Sequence, residues 1–403
     1  MCAMAVPRQS ELREKGRNVY VFGLTSFMND TASEMAYWIL PAFLVSIGAG
    51  PATLGIIEGI SESVVSVAKL CSGYLVDRID RRKPIVVAGY VVANGVKPLL
   101  ALVQAWWQVL GIRFADRLAK GLRGAPRDIM LAESVKESRL GSAYGLLQAM
   151  DSAGAIAGPL AAWLLVGRVG LRGVFLAAAL PGMLSILVVT LWAKETGAGH
   201  KKRGPEEPGA SFRPRLSSRF YYLLAAVGIF SLGNSSDMFL VLRAQDIGIA
   251  AKYAPLLGLV FNITYTAFSW PAGKLSDKVP RRLLVAGGYV VFAFVYYIFG
   301  SAPGKTAIWA AMAFYGLYYA MTTPVLKAMV VQAAPDDARG RALGLFYFVS
   351  SVMALSASIA TGELWRHFGA RVPFFLSAGL AAVAAVLVTS GPPRKRTNRY
   401  LRK

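Results

Sequence analysis

Six stretches of this chain, 173–193, 253–273, 283–304, 306–326, 342–362 and 372–393, contain no Asp, Glu, Lys or Arg, and each is 21 or 22 residues long. A helix rises about 1.5 Å per residue, so about 20 apolar residues cross the hydrocarbon core of a bilayer. Inside that core every backbone N–H and C=O must find a partner within the protein, and a helix satisfies them within a single segment. The pattern therefore predicts an all-α integral membrane protein. Composition agrees, because only 16% of the residues are charged, against about 25% in an ordinary soluble domain. Hydropathy and charge together place twelve spans at 18–46, 51–76, 84–104, 106–127, 141–166, 171–193, 219–246, 253–274, 283–301, 306–330, 341–365 and 371–391.

The net charge of +22 would point to nucleic acid in a soluble protein. Here its location argues otherwise. Counting residues at the span ends, 30 Lys and Arg fall at the N-terminus, in the even-to-odd loops and in the C-terminal tail, against 6 in the odd-to-even loops. Basic loops stay in the cytoplasm, so both termini and the segment 194–218 are expected there, in a cytoplasmic (inner) membrane. The tail Arg394-Lys395-Arg396 fits the same rule, with contact to anionic lipid as a second reading. Met1 to Arg17 shows no cleavable signal pattern. Cys2 and Cys71 are too few for a disulfide framework. His200 and His367 lie in loops or at a span end, so protons inside the membrane would have to ride on carboxylates.

The chain repeats itself. Gly73, Asp77, Arg78, Arg81 and Arg82 recur as Gly273, Asp277, Lys278, Arg281 and Arg282, each set following an even-numbered span. Ser26 and Asn29 are echoed by Ser231 and Asn234, Ala125-Pro126 by Thr323-Pro324, and Arg139 by Arg339. The Gly-, Pro- and Lys-rich stretch between the copies divides the chain into a six-helix bundle over 1–193, a cytoplasmic linker over 194–218 and a second bundle with a basic tail over 219–403. A parallel 6+6 duplication is the plan of transporters whose site lies at mid-membrane between the halves.

The doubled motif, G-x3-D-[RK]-x-x-[RK]-[RK], resembles the loop signature of the major facilitator superfamily. The resemblance implies twelve helices in two six-helix bundles related by a pseudo-two-fold axis. Asp77 closes a helix at its negative end, where a carboxylate needs a cation or another helix's N-terminus. In the family this acid belongs to a cluster that latches the halves in the outward-facing state, and Arg78 and Arg123 are candidate partners. For Arg81 and Arg82 a purely topological role is the equal alternative. Span 5 carries Gly145, Gly154, Gly158 and Pro159. Their spacing resembles the antiporter signature of drug–proton exporters, with Ala162 and Trp163 in place of its final Gly pair. Small residues at helical spacing also serve plain close packing of helices.

Charged groups at mid-bilayer cost about 2.5–3.5 kcal/mol on insertion scales and tend to mark functional paths. They gather in the first half: Asp30 and Glu34 in span 1, Glu58, Glu62 and Lys69 in span 2, Arg113, Asp116, Arg117, Lys120, Arg123 and Arg127 in span 4, and Asp151 in span 5. The superfamily lines its cavity with spans 1, 4, 7 and 10. The resemblance thus places Asp30, Glu34, Arg113, Arg117, Asn234 and Asp237 on the substrate path, with Tyr318, Tyr319 and Thr322 to orient a ligand. Arg117 fits a family pattern in which an Arg supports proton coupling. Glu58 and Glu62 are proton sites or fasten a gate to Lys252 or Arg243, and Asp151 is a second proton site. A structural ion-pair network, for example Asp30 with Arg117, is the alternative for any single residue.

The expected function is secondary active transport of a small molecule or ion by alternating access, energised by protons and directed outward, by a monomer in the lipid bilayer. No P-loop, catalytic triad or H-E-x-x-H helix points to an enzyme, and no cofactor or nucleic-acid partner is expected. Two rivals stand. One is a divalent-metal exporter resembling ferroportins, using Asp30, Glu34, Asn234 and Asp237 as oxygen ligands. The other is an organic-anion importer or exchanger using Arg113, Arg117 and Lys120 as clamps.

Overall fold

The structure, a computed structural model, describes residues 9–49, 51–196, 216–249, 253–301 and 304–390. Among those residues the regular structure is entirely helical. In chain order the α-helices are α1 (Gln9–Ser46), α2 (Pro51–Val76), α3 (Lys83–Val96), α4 (Trp106–Glu133), α5 (Leu140–Ala177), α6 (Ala179–Trp192), α7 (Ser218–Gly233), α8 (Met238–Asp246), α9 (Ala254–Lys278), α10 (Arg281–Ser301), α11 (Lys305–Ala333), α12 (Arg339–Phe368) and α13 (Arg371–Ser390). They make the twelve expected spans, with three local departures.

The third span tightens into a 3-10 run over Lys97–Leu102. Pro98 has no N–H to give to an α-helical ladder, and the tighter turn avoids that loss. The fifth and sixth spans join through a kink at Gly170, whose φ of 69° lies in the left-handed region that glycine occupies without strain. The seventh span is broken between α7 and α8, where Asn234 leaves helical geometry. The run Asn234-Ser235-Ser236-Asp237 explains the break, since these short polar side chains compete for backbone hydrogen bonds and favour caps.

The duplication seen in the sequence is also a duplication of packing. α1 lies on α5 and α6, α2 on α4, and α3 on α4 and α6; correspondingly α7 lies on α12 and α13, α9 on α11, and α10 on α11 and α13. The two sets meet along two seams, α2 against α12 and α5 against α9. Both seams are glycine contacts. A Cβ on Gly73 would come 2.5 Å from the Gly340 carbonyl oxygen and 2.6 Å from the Gly344 Cα. On the other seam, a Cβ on Gly273 would come 2.3 Å from the Gly141 oxygen and 3.0 Å from the Gly145 Cα. Backbone therefore touches backbone at both crossings, as small residues allow between membrane helices.

The molecule is apolar outward. Leu102, Trp163, Leu180, Met183, Leu355 and Val386 are exposed, whereas Lys97, Arg113, Asp116, Arg123 and Asp128 are buried. Five helical stretches, Lys83–Leu102, Glu137–Trp192, Arg281–Ser301, Asp336–Trp365 and Arg371–Ser390, are long and apolar enough to cross a bilayer by length and composition alone. The charged α4 relies on its neighbours to shield it.

Candidate functional site

The doubled motif closes one end of the molecule twice. The Asp77 carboxylate accepts from the backbone N–H of Gly340 at 2.8 Å and of Arg341 at 2.7 Å, at the first turn of α12. Asp277 does the same at the first turn of α5, accepting from Gly141 N–H at 2.9 Å, Ser142 N–H at 2.8 Å and the Ser142 hydroxyl. Each acid thus sits on the positive end of a helix from the other repeat, where orphan N–H groups need acceptors. Burial pushes the Asp77 carboxyl up to about 6, although these two N–H groups pull the other way.

The expected partners of Asp77 are corrected here. Arg123 instead donates to the Gly89 carbonyl at 3.2 Å and stacks 4.1 Å over the Tyr90 ring, one helix away. Arg78, Arg81 and Lys278 are exposed. Arg82 binds Glu133 at 2.5 Å. Its counterpart in space is Arg281, which reaches Gln332 at 3.0 Å as well as Asp277, and not Arg282. The pairing by sequence offset is therefore out of register by one residue beyond the acids.

Span 5 shows what its glycines do. A Cβ on Gly154 would lie 2.6 Å from the Phe27 oxygen and 3.0 Å from the Asp30 Cβ, and one on Gly158 would lie 2.6 Å from the Glu34 Cβ. These two residues let α5 press onto the face of α1 that carries both acids. As a result Asp151 of α5 comes into side-chain hydrogen-bond contact with Asp30, and Gln148 donates to Asp151 at 3.3 Å. Gly145 has a different task at the α9 seam. Asp30 also accepts from Asn29 at 2.9 Å; Asn94 donates to Asn29 at 3.1 Å, Lys97 to Asn94 at 3.0 Å, and Lys97 pairs with Asp116 at 3.4 Å. A polar chain thus runs from the carboxyl pair through α3 to α4. Arg113 lines a small cavity with Lys97 and Asp116 and lies 5.6 Å from the Tyr37 ring centre.

Sequence reasoning missed a second buried cluster, centred on Asp128. Arg127 binds its carboxylate at 3.0 Å and also donates to Ser26 at 3.3 Å. Tyr347 of α12 donates to the same carboxylate, Lys327 of α11 approaches to 3.9 Å, and Tyr144 of α5 donates to the Asp128 carbonyl at 2.7 Å. Lys69 of α2 lies 5.1 Å over the Tyr347 ring. One fully buried acid therefore ties helices of both repeats together. An acid directly after Arg127 was the available signal, hidden because it sat at the edge of the expected span.

The second half presents aromatic rings instead of charges. Phe261, Tyr265, Tyr315, Tyr318 and Tyr319 stand within 4.8–5.6 Å of one another, centre to centre, in adjoining pairs. Tyr315 donates to Asp237 at 2.7 Å, and the buried Asn234 Oδ1 has no hydrogen-bond partner. One expectation needs correction. Thr322 is buried, its hydroxyl donates to the Tyr318 carbonyl at 2.8 Å, and its methyl group lies under Gly288, so it serves the α10–α11 crossing. Arg243 binds Asp246 and the Phe299 carbonyl at 3.0 Å. The side chains of Glu58 and Glu62, together with Lys252 and most of the linker, fall outside the described residues. Among the described residues no three His, Cys, Asp or Glu side chains gather closely enough to hold a metal ion.

The fold and its paired latches define a multi-pass membrane transporter built by duplication. The family model "Major Facilitator Superfamily" matches residues 22–243 and 223–402, and the chain belongs to that family. It is a transporter and not an enzyme. It is 33% identical over 389 residues to an uncharacterized MFS-type transporter of Methanocaldococcus jannaschii, covering 93% of this chain and 95% of the relative. It is 22% identical over 395 residues to the multidrug resistance protein MdtG of Citrobacter koseri, covering 94% and 96%. Among solved structures, the superfamily transporter FucP in its outward conformation matches with a TM-score of 0.76 at 13% identity, over 94% of this chain and 99% of that one. At that identity the likeness speaks for the fold alone.

Proposed function

We propose that the chain exports an organic solute in exchange for protons. The two lobes, 1–193 and 219–403, rock about a site between them while 194–218 joins them in the cytoplasm. The protein acts as a monomer in the cytoplasmic membrane, with both termini inside. The observation that carries the coupling is the Asp30–Asp151 carboxyl contact between α1 and α5. Two carboxyl groups in hydrogen-bond contact need one proton between them, and without it they repel. Proton occupancy therefore changes how α5 fits on α1, and a ligand that binds one arrangement better shifts the balance of states. The seams favour rocking, since the glycine crossings bring backbone against backbone and the ties across them are a few polar contacts.

The aromatic cluster of Phe261, Tyr265, Tyr315 and Tyr319 beside Asp237 is packed in the core in this state, and parting of the lobes would offer it to a solute with an apolar or aromatic body. The relationship to a multidrug resistance protein supports that reading. A second reading, organic-anion exchange, draws on Arg113, Arg117 and Lys120 on α4. Among the described residues no ligand set is assembled for the metal-exporter reading.

The test uses purified protein in liposomes with an imposed pH gradient and a pH dye inside. A fluorescent lipophilic cation and an anionic dye serve as probes. Proton movement driven by one probe supports exchange and tells the two solute classes apart. Probe flux that ignores the pH gradient refutes proton coupling.

A further inference from the structure

Among their differences, the two repeats part at the N-terminus of the third helix in each. In the first repeat the chain fills it with its own acids. Glu195, just after α6, accepts from the backbone N–H of Arg82 at 3.1 Å and of Lys83 at 2.9 Å, while Glu133 binds the Arg82 guanidinium. Thr196 donates to Glu133 at 2.9 Å and completes the closure.

In the second repeat both acids are missing. Gln332 stands where Glu133 stood and accepts from Arg281 at 3.0 Å. The chain after α13 reads Gly391-Pro392-Pro393-Arg394 and contains no Asp or Glu up to its last residue. A pocket of about 710 Å³ opens at this place. Lys136, Arg219, Arg281 and Arg282 line it, against Glu137 and Asp277. The Asp277 oxygens are already committed to the first turn of α5 and to Arg281 at 3.0 Å. The Arg281 side chain is 10% exposed, and its Nε is buried without a hydrogen-bond partner. The rest of the lining mixes the apolar Leu223, Ala226, Val279, Met329 and Val388 with the polar Ser138, Tyr222 and Ser276.

We propose that this pocket binds a phosphate-bearing anion, and that the apolar residues of its lining select an anionic phospholipid. The phosphate takes the place that Glu195 and Glu133 hold in the first repeat. Guanidinium groups and helix N-termini suit phosphate for the same reason they suit those carboxylates. Lys136 belongs to the first repeat and the other cations to the second, so the ligand spans the α5–α9 latch. Its binding favours the arrangement in which that latch is closed.

The test uses full-length protein in detergent, followed by native mass spectrometry and thermal shift. The probes are dioleoyl phosphatidylglycerol, dioleoyl phosphatidylcholine, inorganic phosphate and glycerol phosphate. Phosphatidylglycerol is expected to bind and to stabilise, with phosphatidylcholine much weaker. Arg219→Gln is expected to weaken binding about tenfold, the worth of one charge-assisted hydrogen bond. Gln332→Glu restores the acid of the first repeat without removing any arginine, and it is expected to weaken binding to a similar degree. Inorganic or glycerol phosphate acting as well as the lipid would keep the phosphate site but overturn the lipid assignment. Equal binding of both lipids, or wild-type binding by Gln332→Glu, overturns the proposal. Asp30→Asn leaves this binding intact, so the pocket and the proton-coupled function can fail separately.

Discussion

Replacing Gly73 with alanine tests whether bare backbone contact is what holds the motif end closed. The new Cβ would sit 2.6 Å from the Gly344 Cα and 2.5 Å from the Gly340 oxygen. Carbon atoms rest about 3.5–4.0 Å apart, so α2 and α12 must separate by roughly 1 Å. The bonds from Gly340 and Arg341 to Asp77 start at 2.8 and 2.7 Å. That separation takes both past the ~3.2 Å limit of a good N–H···O bond. Each bond to a charged acceptor contributes about 1.5–3 kcal/mol, so the closed state loses about 3–6 kcal/mol. A bias of about 5.5 kcal/mol carries a two-state population from 99:1 to 1:99. The intrinsic helix gain of alanine, about 1 kcal/mol, applies to both states and cancels. Spin labels at the exposed Asp80 and Asp337, on a background lacking Cys2 and Cys71, would report the opening as a longer distance by pulsed EPR. Gly124→Ala is the control, since its Cβ would meet nothing within 4 Å. A Gly73→Ala distance distribution no different from that of Gly124→Ala would refute the reasoning.

Three further outcomes follow from the geometry. Asp30→Asn and Asp151→Asn should each abolish proton movement coupled to solute in liposomes while leaving the fold intact by thermal melting; coupling retained in both would remove the carboxyl pair from the mechanism. The Asp77 carboxyl, raised by burial to about 6, binds a proton more readily when latched than when hydrated. The latch is then strongest below ~pH 4 and weakens as pH rises to ~6. The same label pair should lengthen across that window and become flat in Asp77→Asn, and an opposite slope would contradict it. Asp128→Asn strips the acid from Arg127 and Lys327 and should cost about 3–5 kcal/mol. That loss should appear as a lower melting temperature, partly recovered by adding Lys327→Met; an unchanged melting temperature would show that the cluster does not bind the repeats together.

The repeats were legible because duplicated chemistry leaves duplicated letters. Gly73 and Asp77 predicted Gly273 and Asp277, and the structure gives each acid the same partners in the opposite repeat. Arg123 misled because its spacing along α4 shows which face it occupies but not which neighbour that face meets. Glycine 89 lets α3 approach so closely that the nearest acceptor is a carbonyl. Asp30 and Glu34 were visible as intramembrane acids. The meeting of Asp30 with Asp151 was not, because it depends on how deeply Gly154 and Gly158 seat α5 on α1. Thr322 shows the same limit in reverse: a polar residue on a cavity-lining span turns inward when a glycine opposite leaves room for its methyl group.

The paired latches also determine how that end comes apart. One bolt joins α2 to α12 and the other joins α5 to α9, on separate seams. With a single bolt drawn, the remaining one acts as a pivot, and the lobes can only tilt askew around it. Under the proposed rocking, full separation of the lobes at this end requires both bolts to be released.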